Sequence, residues 1–193
     1  SGMVTSVQAA YQFESGFVPN WFVGSIVGES VLLELAPMIT GLVMTGKIGA
    51  TITAEIGTMR VTEQIDALES LSFDPVSFLI MPRVLAAAIM FPILVIVADF
   101  CGILGGLFAA HSAMDVSTQE FFRGFRTFFK PWDAWFGLIK GVFFGVAITS
   151  IASYKGFTTE GGAEGVGKST TSTVVISCMT IVLLDYILAE IFL

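Results

Sequence analysis

Apolar residues gather into four long stretches along the chain, and polar or glycine-rich segments separate them. The first apolar stretch, from Trp21 to about Met59, is too long for one straight bilayer crossing, which takes roughly 20 residues. It divides at Gly28-Glu29-Ser30 into a short piece, interfacial or re-entrant, and a crossing piece from Val31 to Met59 that carries Glu34, Pro37, Lys47 and Glu55. Val84 to Ala110 is the clearest span. Its one charge is Asp99, Pro92 predicts a kink, and Gly102, Gly105 and Gly106 supply a face for close helix packing. Ala134 to Tyr154 is interrupted only by Lys140 and is flanked by Trp132 and Trp135, aromatics typical of the membrane interface. Thr170 to Leu193 is the last span and carries Asp185 and Glu190.

Between these stretches the pattern changes. Thr62 to Leu71 sets Ile65, Leu68 and Leu71 on one side of a helix, with Glu63, Gln64, Asp66 and Glu69 elsewhere, which predicts a short amphipathic helix. Thr62 is its expected N-cap, and Asp74-Pro75 its expected end. Its polar face is acidic, whereas helices that lie on membranes usually carry Lys and Arg there; an acidic face suits a protein partner. His111 to Pro131 reads as a polar and aromatic connector, and Lys155 to Ser169 as a glycine-rich loop. Ahead of the first stretch, Val4 to Phe13 reads as the tail of a helix, with Glu14 and Pro19 as breaks.

Composition agrees. Of 193 residues, 54% are hydrophobic and 13% charged, and the mean hydropathy is +0.84. A soluble domain is nearer 25% charged, so the expected class is an all-α integral membrane protein. With 9 basic against 16 acidic residues and no basic run, nothing suits a nucleic-acid backbone. Cys101, Cys178 and the single His111 have no metal-ligand spacing. Gly162 to Ser169 matches the phosphate-binding pattern G-x-x-x-x-G-K-[ST] letter for letter. That pattern requires a buried strand before it and a soluble helix after it. Here membrane spans flank it, so it reads as an interhelical loop.

Ionisable residues within membrane spans are costly and are functional candidates by default. The set is Glu34, Lys47, Glu55, Asp99, Lys140, Asp185 and Glu190. Lys140, Asp185 and Glu190 are expected near the interface, where long side chains snorkel. Asp99 is central in its span, so a partner is expected for it. Alternation of the spans puts loops 60–83 and 155–169 on one side. The connector at 111–131 and the C-terminus lie on the other, and basic residues divide too evenly to orient the chain.

The run Glu55-Ile-Gly-Thr-Met-Arg-Val-Thr-Glu-Gln-Ile-Asp-Ala-Leu-Glu69, followed by Asp74-Pro75 and Pro82-Arg83, resembles the signature loop of MlaE-type permeases. These are membrane subunits of bacterial ABC transporters that move phospholipids together with MCE proteins. Leu33-Glu34-Leu35-Ala36-Pro37 resembles the family's RELGP, and Thr45-Gly46-Lys47-Ile48-Gly49-Ala50 its AGRxGA. Gly161 to Gly167, Thr170-Thr171 and Leu184-Asp185-Tyr186 also fit. Leu33, Ala36 and Lys47 depart from the pattern, and a Lys does not reproduce the bidentate grip of an Arg.

The resemblance implies an all-α permease of about five spans that works as a homodimer in the bacterial inner membrane. Residues 1–193 would then form one permease domain, lacking an interfacial helix and most of the first span, roughly 60 residues in all. It implies a separate ABC ATPase that binds ATP and Mg, no cofactor or catalytic site in this chain, and an MCE-domain partner. Thr62, Glu63, Gln64, Ile65, Asp66 and Leu68 would form the ATPase-coupling helix, with loops 60–83 and 155–169 in the cytoplasm. Val7, Tyr11, Leu32 and Leu35 match helices that line the family's lipid cavity. The alternative class is an ion-coupled carrier or membrane-embedded enzyme using Glu34, Glu55, Asp99 and Asp185.

Overall fold

The computed structural model describes residues 1–13, 21–114 and 116–192, and among these the chain is helical without a strand. Glu14 and Pro19, expected as breaks, lie outside the described residues. In chain order the α-helices are α1 (Gly2–Phe13), α2 (Phe22–Ser30), α3 (Ala36–Met44), α4 (Ala50–Val61), α5 (Gln64–Ser70), α6 (Met81–Met114), α7 (Thr118–Phe128), α8 (Pro131–Phe157) and α9 (Gly162–Phe192). Among the described residues four helical stretches are long and apolar enough to cross a membrane: Phe22–Val61, Val76–Ser112, Pro131–Phe157 and Gly162–Phe192.

The first of these corrects the expected division at Gly28-Glu29-Ser30. The helix runs on through those residues and instead widens into π turns at Val31–Leu35 and Thr45–Gly49; a third lies at Val76–Ile80. In the first, the Ala36 N–H donates to Val31 O, five residues back, and in the third the Met81 N–H reaches Val76 O. Both turns sit immediately before a proline, Pro37 and Pro82. A proline ring has no N–H and collides with the carbonyl four residues earlier. Widening the turn moves that carbonyl aside while the helix continues. The middle turn has no proline; there the Thr45 hydroxyl lies 2.6 Å from Leu42 O and 3.2 Å from Gly41 O and bonds back into the ladder.

The chain forms two compact units, each assembled from two stretches. Unit 1 comprises Ser1–Ile39 and Ile93–Ile139. Its core gathers Val23, Val27 and Val31 with Ala36, Ala110 and Phe121, and Leu35, Ile103 and Leu107 pack against them. α1 is tied to α6 by the buried Ser6 hydroxyl, which donates to Gly106 O at 2.8 Å. The connector expected at 111–131 contains an unanticipated helix, α7. Ser117 and Glu120 form its capping box, each side chain accepting from the other residue's backbone N–H. α7 lies so close to α2 that a Cβ on Gly124 would strike the Trp21 carbonyl, and one on Gly24 the Phe121 carbonyl. Glycine at both positions is a condition of that approach. Trp21 stacks on Phe128 beside the crossing.

Unit 2 comprises Thr40–Pro92 and Lys140–Leu193. Ile52, Ile56, Ile65 and Ala152 are buried together, with Ile48, Met59, Leu79 and Phe157 against them. The buried Thr53 Oγ1 lies 3.0 Å from Ala152 O and 2.9 Å from Thr173 Oγ1, so one hydroxyl joins α4, α8 and α9. In lipid, where apolar contact alone draws no helices together, such bonds and small residues fix the packing. The loop expected over Lys155–Ser169 shrinks to a turn, in which Gly161 and Gly162 adopt φ of +89° and +68°. Gly162 to Ser169, the phosphate-loop look-alike, forms the opening turns of α9. No strand precedes it, so the backbone cradle such a loop needs is not formed.

Candidate functional site

α5 is the amphipathic helix foreseen between the first two spans, with both ends displaced. Thr62 is not its N-cap; the Thr62 hydroxyl donates back to Thr58 O at 2.8 Å and closes α4. Glu63 takes the cap position in a left-handed conformation, φ 60°, without a side-chain cap bond. Only Thr62 and Glu63 separate α4 from α5, and the Thr62 hydroxyl is already committed to the α4 carbonyl. The helix ends at Ser70, before Asp74, and Ser72 follows with φ 63°. Asp74 opens the next helix: its carboxylate accepts from the Ser77 hydroxyl and from the backbone N–H groups of Val76 and Ser77. Those bonds, the Ser77 hydroxyl first, hold its pKa below the usual carboxylate range. This cap therefore acts above the ordinary value and fades as the pH falls through the lowered one.

Of the α5 residues, Ile65 is fully buried in the unit 2 core and Leu68 half-buried, while Glu63, Gln64 and Asp66 face outward. One side chain thus pins the helix, and its acidic face is turned outward. Asp66 pairs with Arg60 at 2.5 Å, and the Arg60 guanidinium lies 5.8 Å from the Phe157 ring centre. Gln64 Nε2 donates to Thr62 Oγ1 at 3.0 Å. Beside the acids, Leu71 and Phe78 are exposed and border a depression of about 300 Å³ with Leu68. A docking patch gains affinity from exposed apolar anchors and orientation from charges around them.

The intramembrane charges divide by environment. Lys140, expected to snorkel to the interface, is wholly buried, and its Nζ lies 2.8 Å from Asp185 Oδ1. Lys140 therefore does not snorkel outward; α8 and α9 pack with both residues inside unit 2, where a close ion pair offsets part of the desolvation of each charge. Glu190 is exposed near the end of α9. Glu55 is paired too, its Oε2 3.1 Å from Arg83 Nη2. Two acids of the ion-coupled alternative are therefore held by cations. Glu34 is half-buried in the first π turn, and Lys47 is exposed in the second. The family-like segments around both residues coincide with the two widened turns, a coincidence that the sequence signals only through Pro37. Asp99 Oδ1 is buried, and the partner expected for it is not found among the described residues.

For the four lining candidates, Val7 and Tyr11 are exposed on α1, Leu32 is buried, and Leu35 packs on the unit 1 core. Among the described residues no cluster of His, Cys, Asp and Glu could hold a metal.

Comparison with known proteins agrees with this architecture. A family profile described as Permease MlaE matches residues 1–191. A probable ABC transporter permease protein of Rickettsia prowazekii is 40% identical over 192 residues, covering all of this chain and 74% of the relative. One of Synechocystis is 40% identical over 188 residues, 97% of this chain and 71% of the relative. The chloroplastic protein TRIGALACTOSYLDIACYLGLYCEROL 1 of Arabidopsis thaliana is 35% identical over 191 residues, 99% of this chain and 54% of its own length. With four apolar helices of spanning length, a multi-pass all-α membrane architecture and a match over almost every residue, the chain belongs to the MlaE permease family.

Proposed function

We propose that this chain is the membrane subunit of an ATP-driven phospholipid transporter, working as a homodimer in the bacterial inner membrane with a separate ABC ATPase and an MCE-domain protein. The observation that carries the reading is α5, a short helix between two spans, anchored by Ile65 and presenting Glu63, Gln64 and Asp66 outward. A rigid attachment and a free polar face are what a mechanical link requires, since displacement by a partner then reaches α4 through Ile65 and the Arg60–Asp66 pair. Hydrolysis of ATP with Mg belongs to the partner, and this chain contributes no catalytic group. The lipid reading is supported by the wording of the Arabidopsis relative's name, which is a galactolipid, and by the large apolar surface of α1 and the spans. The lipid path runs along Val7, Tyr11 and Leu35 at the face where two copies meet, each counted twice across the dimer axis, with buried Leu32 backing that wall.

Charge reversal on the coupling helix tests this. Glu63→Lys with Asp66→Lys leaves Ile65 seated, so the protein accumulates normally in the membrane. The assembled transporter should bind ATP yet lose lipid-stimulated hydrolysis and transport. Unchanged lipid-stimulated ATPase activity in that double variant refutes the assignment.

A further inference from the structure

Within unit 2, Arg83 stands at the meeting point of two depressions. On one side is an open, polar-edged recess of about 500 Å³ lined by Ala54, Glu55, Thr58 and Met59. On the other, Ile48, Ile52, Ala86, Ala87, Met90 and Phe91 wall an apolar groove of about 240 Å³. Arg83 spends one arm on Glu55, Nη2 to Oε2 at 3.1 Å. The other nitrogen, Nη1, is buried without a hydrogen-bond partner among the described residues. A guanidinium N–H in such surroundings carries the full desolvation penalty of a charged donor unless an acceptor arrives. Arg83 follows the start of its membrane stretch at Val76 by seven residues, and Glu55 precedes the end of its own at Val61 by six. At 1.5 Å per residue both lie roughly 10 Å in from the helix ends, close to the level of lipid head groups.

We propose that Arg83 and Glu55 hold the head group of a resident zwitterionic phospholipid, with one acyl chain in the groove between Ile52 and Met90. The phosphate accepts from the partly exposed Arg83 guanidinium, which turns to bring the buried Nη1 into the recess, and a primary amine on the head group donates to the exposed carboxylate of Glu55. Charge decides the class: a purely anionic head would satisfy Arg83 but face Glu55 with like charge. An amine-bearing zwitterion matches both members of the pair in sign. Size decides the posture. The groove falls below the 300–1,000 Å³ of sites that enclose a whole drug-sized ligand, so it takes one chain and leaves the other in the bilayer. This site is separate from the lipid path proposed above, and its test reads binding alone, so either can fail without the other.

The test uses the full chain, purified in detergent, stripped of lipid, and incubated with phosphatidylethanolamine or phosphatidylglycerol before native mass spectrometry. The parent should retain phosphatidylethanolamine in preference to phosphatidylglycerol. Arg83→Gln should lower retention of both by about tenfold or more, as expected for loss of a charge-assisted bond. Glu55→Gln should abolish the preference between them. Ala86→Phe, a change at an exposed position, fills the groove and should lower retention while the Arg83–Glu55 pair stays intact. Leu85→Phe, outside the groove, should not. Retention unchanged in both Arg83→Gln and Ala86→Phe overturns the proposal. So does equal displacement of the lipid by inorganic phosphate, which would mark a site for the free anion.

Discussion

The Lys140–Asp185 pair gives the sharpest test of how this protein tolerates charge in its interior. Lys140 is completely buried and Asp185 is 14% exposed, at 2.8 Å. Lys140→Met keeps the length of the side chain and leaves Asp185 without that cation. Breaking a buried pair from one side costs about 3–5 kcal/mol, and a lone charge at the centre of a membrane helix about 2.5–3.5 kcal/mol on insertion scales. The two ranges meet near 3 kcal/mol. For a chain of this size each kcal/mol moves the melting temperature by about 2–4 °C, so Lys140→Met should melt roughly 6–12 °C below the parent. The double variant, Lys140→Met with Asp185→Leu, removes both charges, and an apolar replacement of a buried pair is neutral to stabilising by about 1–4 kcal/mol. It should melt at or above the parent. The measurement is thermal unfolding in nanodiscs, followed by tryptophan fluorescence, for the parent, both single variants and the double. A double variant that melts lower than either single one refutes the argument, because the two charges would then be acting on other partners and not chiefly on each other.

Other predictions follow from features already described. Gly124→Ala should loosen α7 from α2 and lower stability by about 1–3 kcal/mol, because its new Cβ meets the Trp21 carbonyl; limited proteolysis between residues 115 and 130 reports it, and parental resistance there contradicts the packing. Lys168→Ala should leave nucleotide binding by the assembled transporter unchanged, since Lys168 is exposed on the first turns of α9; photo-labelling of the isolated chain by an ATP analogue, abolished by this change, would restore the phosphate-loop reading. A photo-crosslinker at Leu35 should capture phospholipid in the assembled dimer beyond the background set by exposed Ile89 on α6, and equal capture at the two positions places the lipid path elsewhere.

Much of the fold was legible because hydropathy in lipid is a coarse, strong signal. The spans around Val84–Ala110 and Ala134–Tyr154 needed only length and apolarity, and α5 needed only Ile65 and Leu68 at helical spacing. Boundaries were harder. Thr62 is a good N-cap in the abstract, yet its hydroxyl closes α4, and Asp74, expected to end α5, instead caps the helix that follows. α7 was missed because Phe121 and Gly124 belong to no long apolar run; their meaning comes from Gly24 and Trp21, nearly a hundred residues earlier. The ion pairs were hidden for the same reason. Nothing local ties Lys140 to Asp185 or Glu55 to Arg83, and that Asp99 Oδ1 finds no hydrogen-bond partner among the described residues could be learned only from the surroundings of the whole helix.

The π turns carry a consequence for the geometry of the first long helix. In an ordinary helix each residue advances the side-chain direction by about 100°, and one extra residue in a turn therefore rotates everything downstream by about that angle. Phe22–Val61 contains two such turns. Each of its three α segments therefore presents its own compass bearing, like lobes set at different angles on a camshaft. Glu34 and Lys47 sit on the two offsets themselves. A helical wheel drawn over all forty residues blurs the lobes together. Closing or opening one widened turn would swing the bearing of the side chains just beyond it by about 100°.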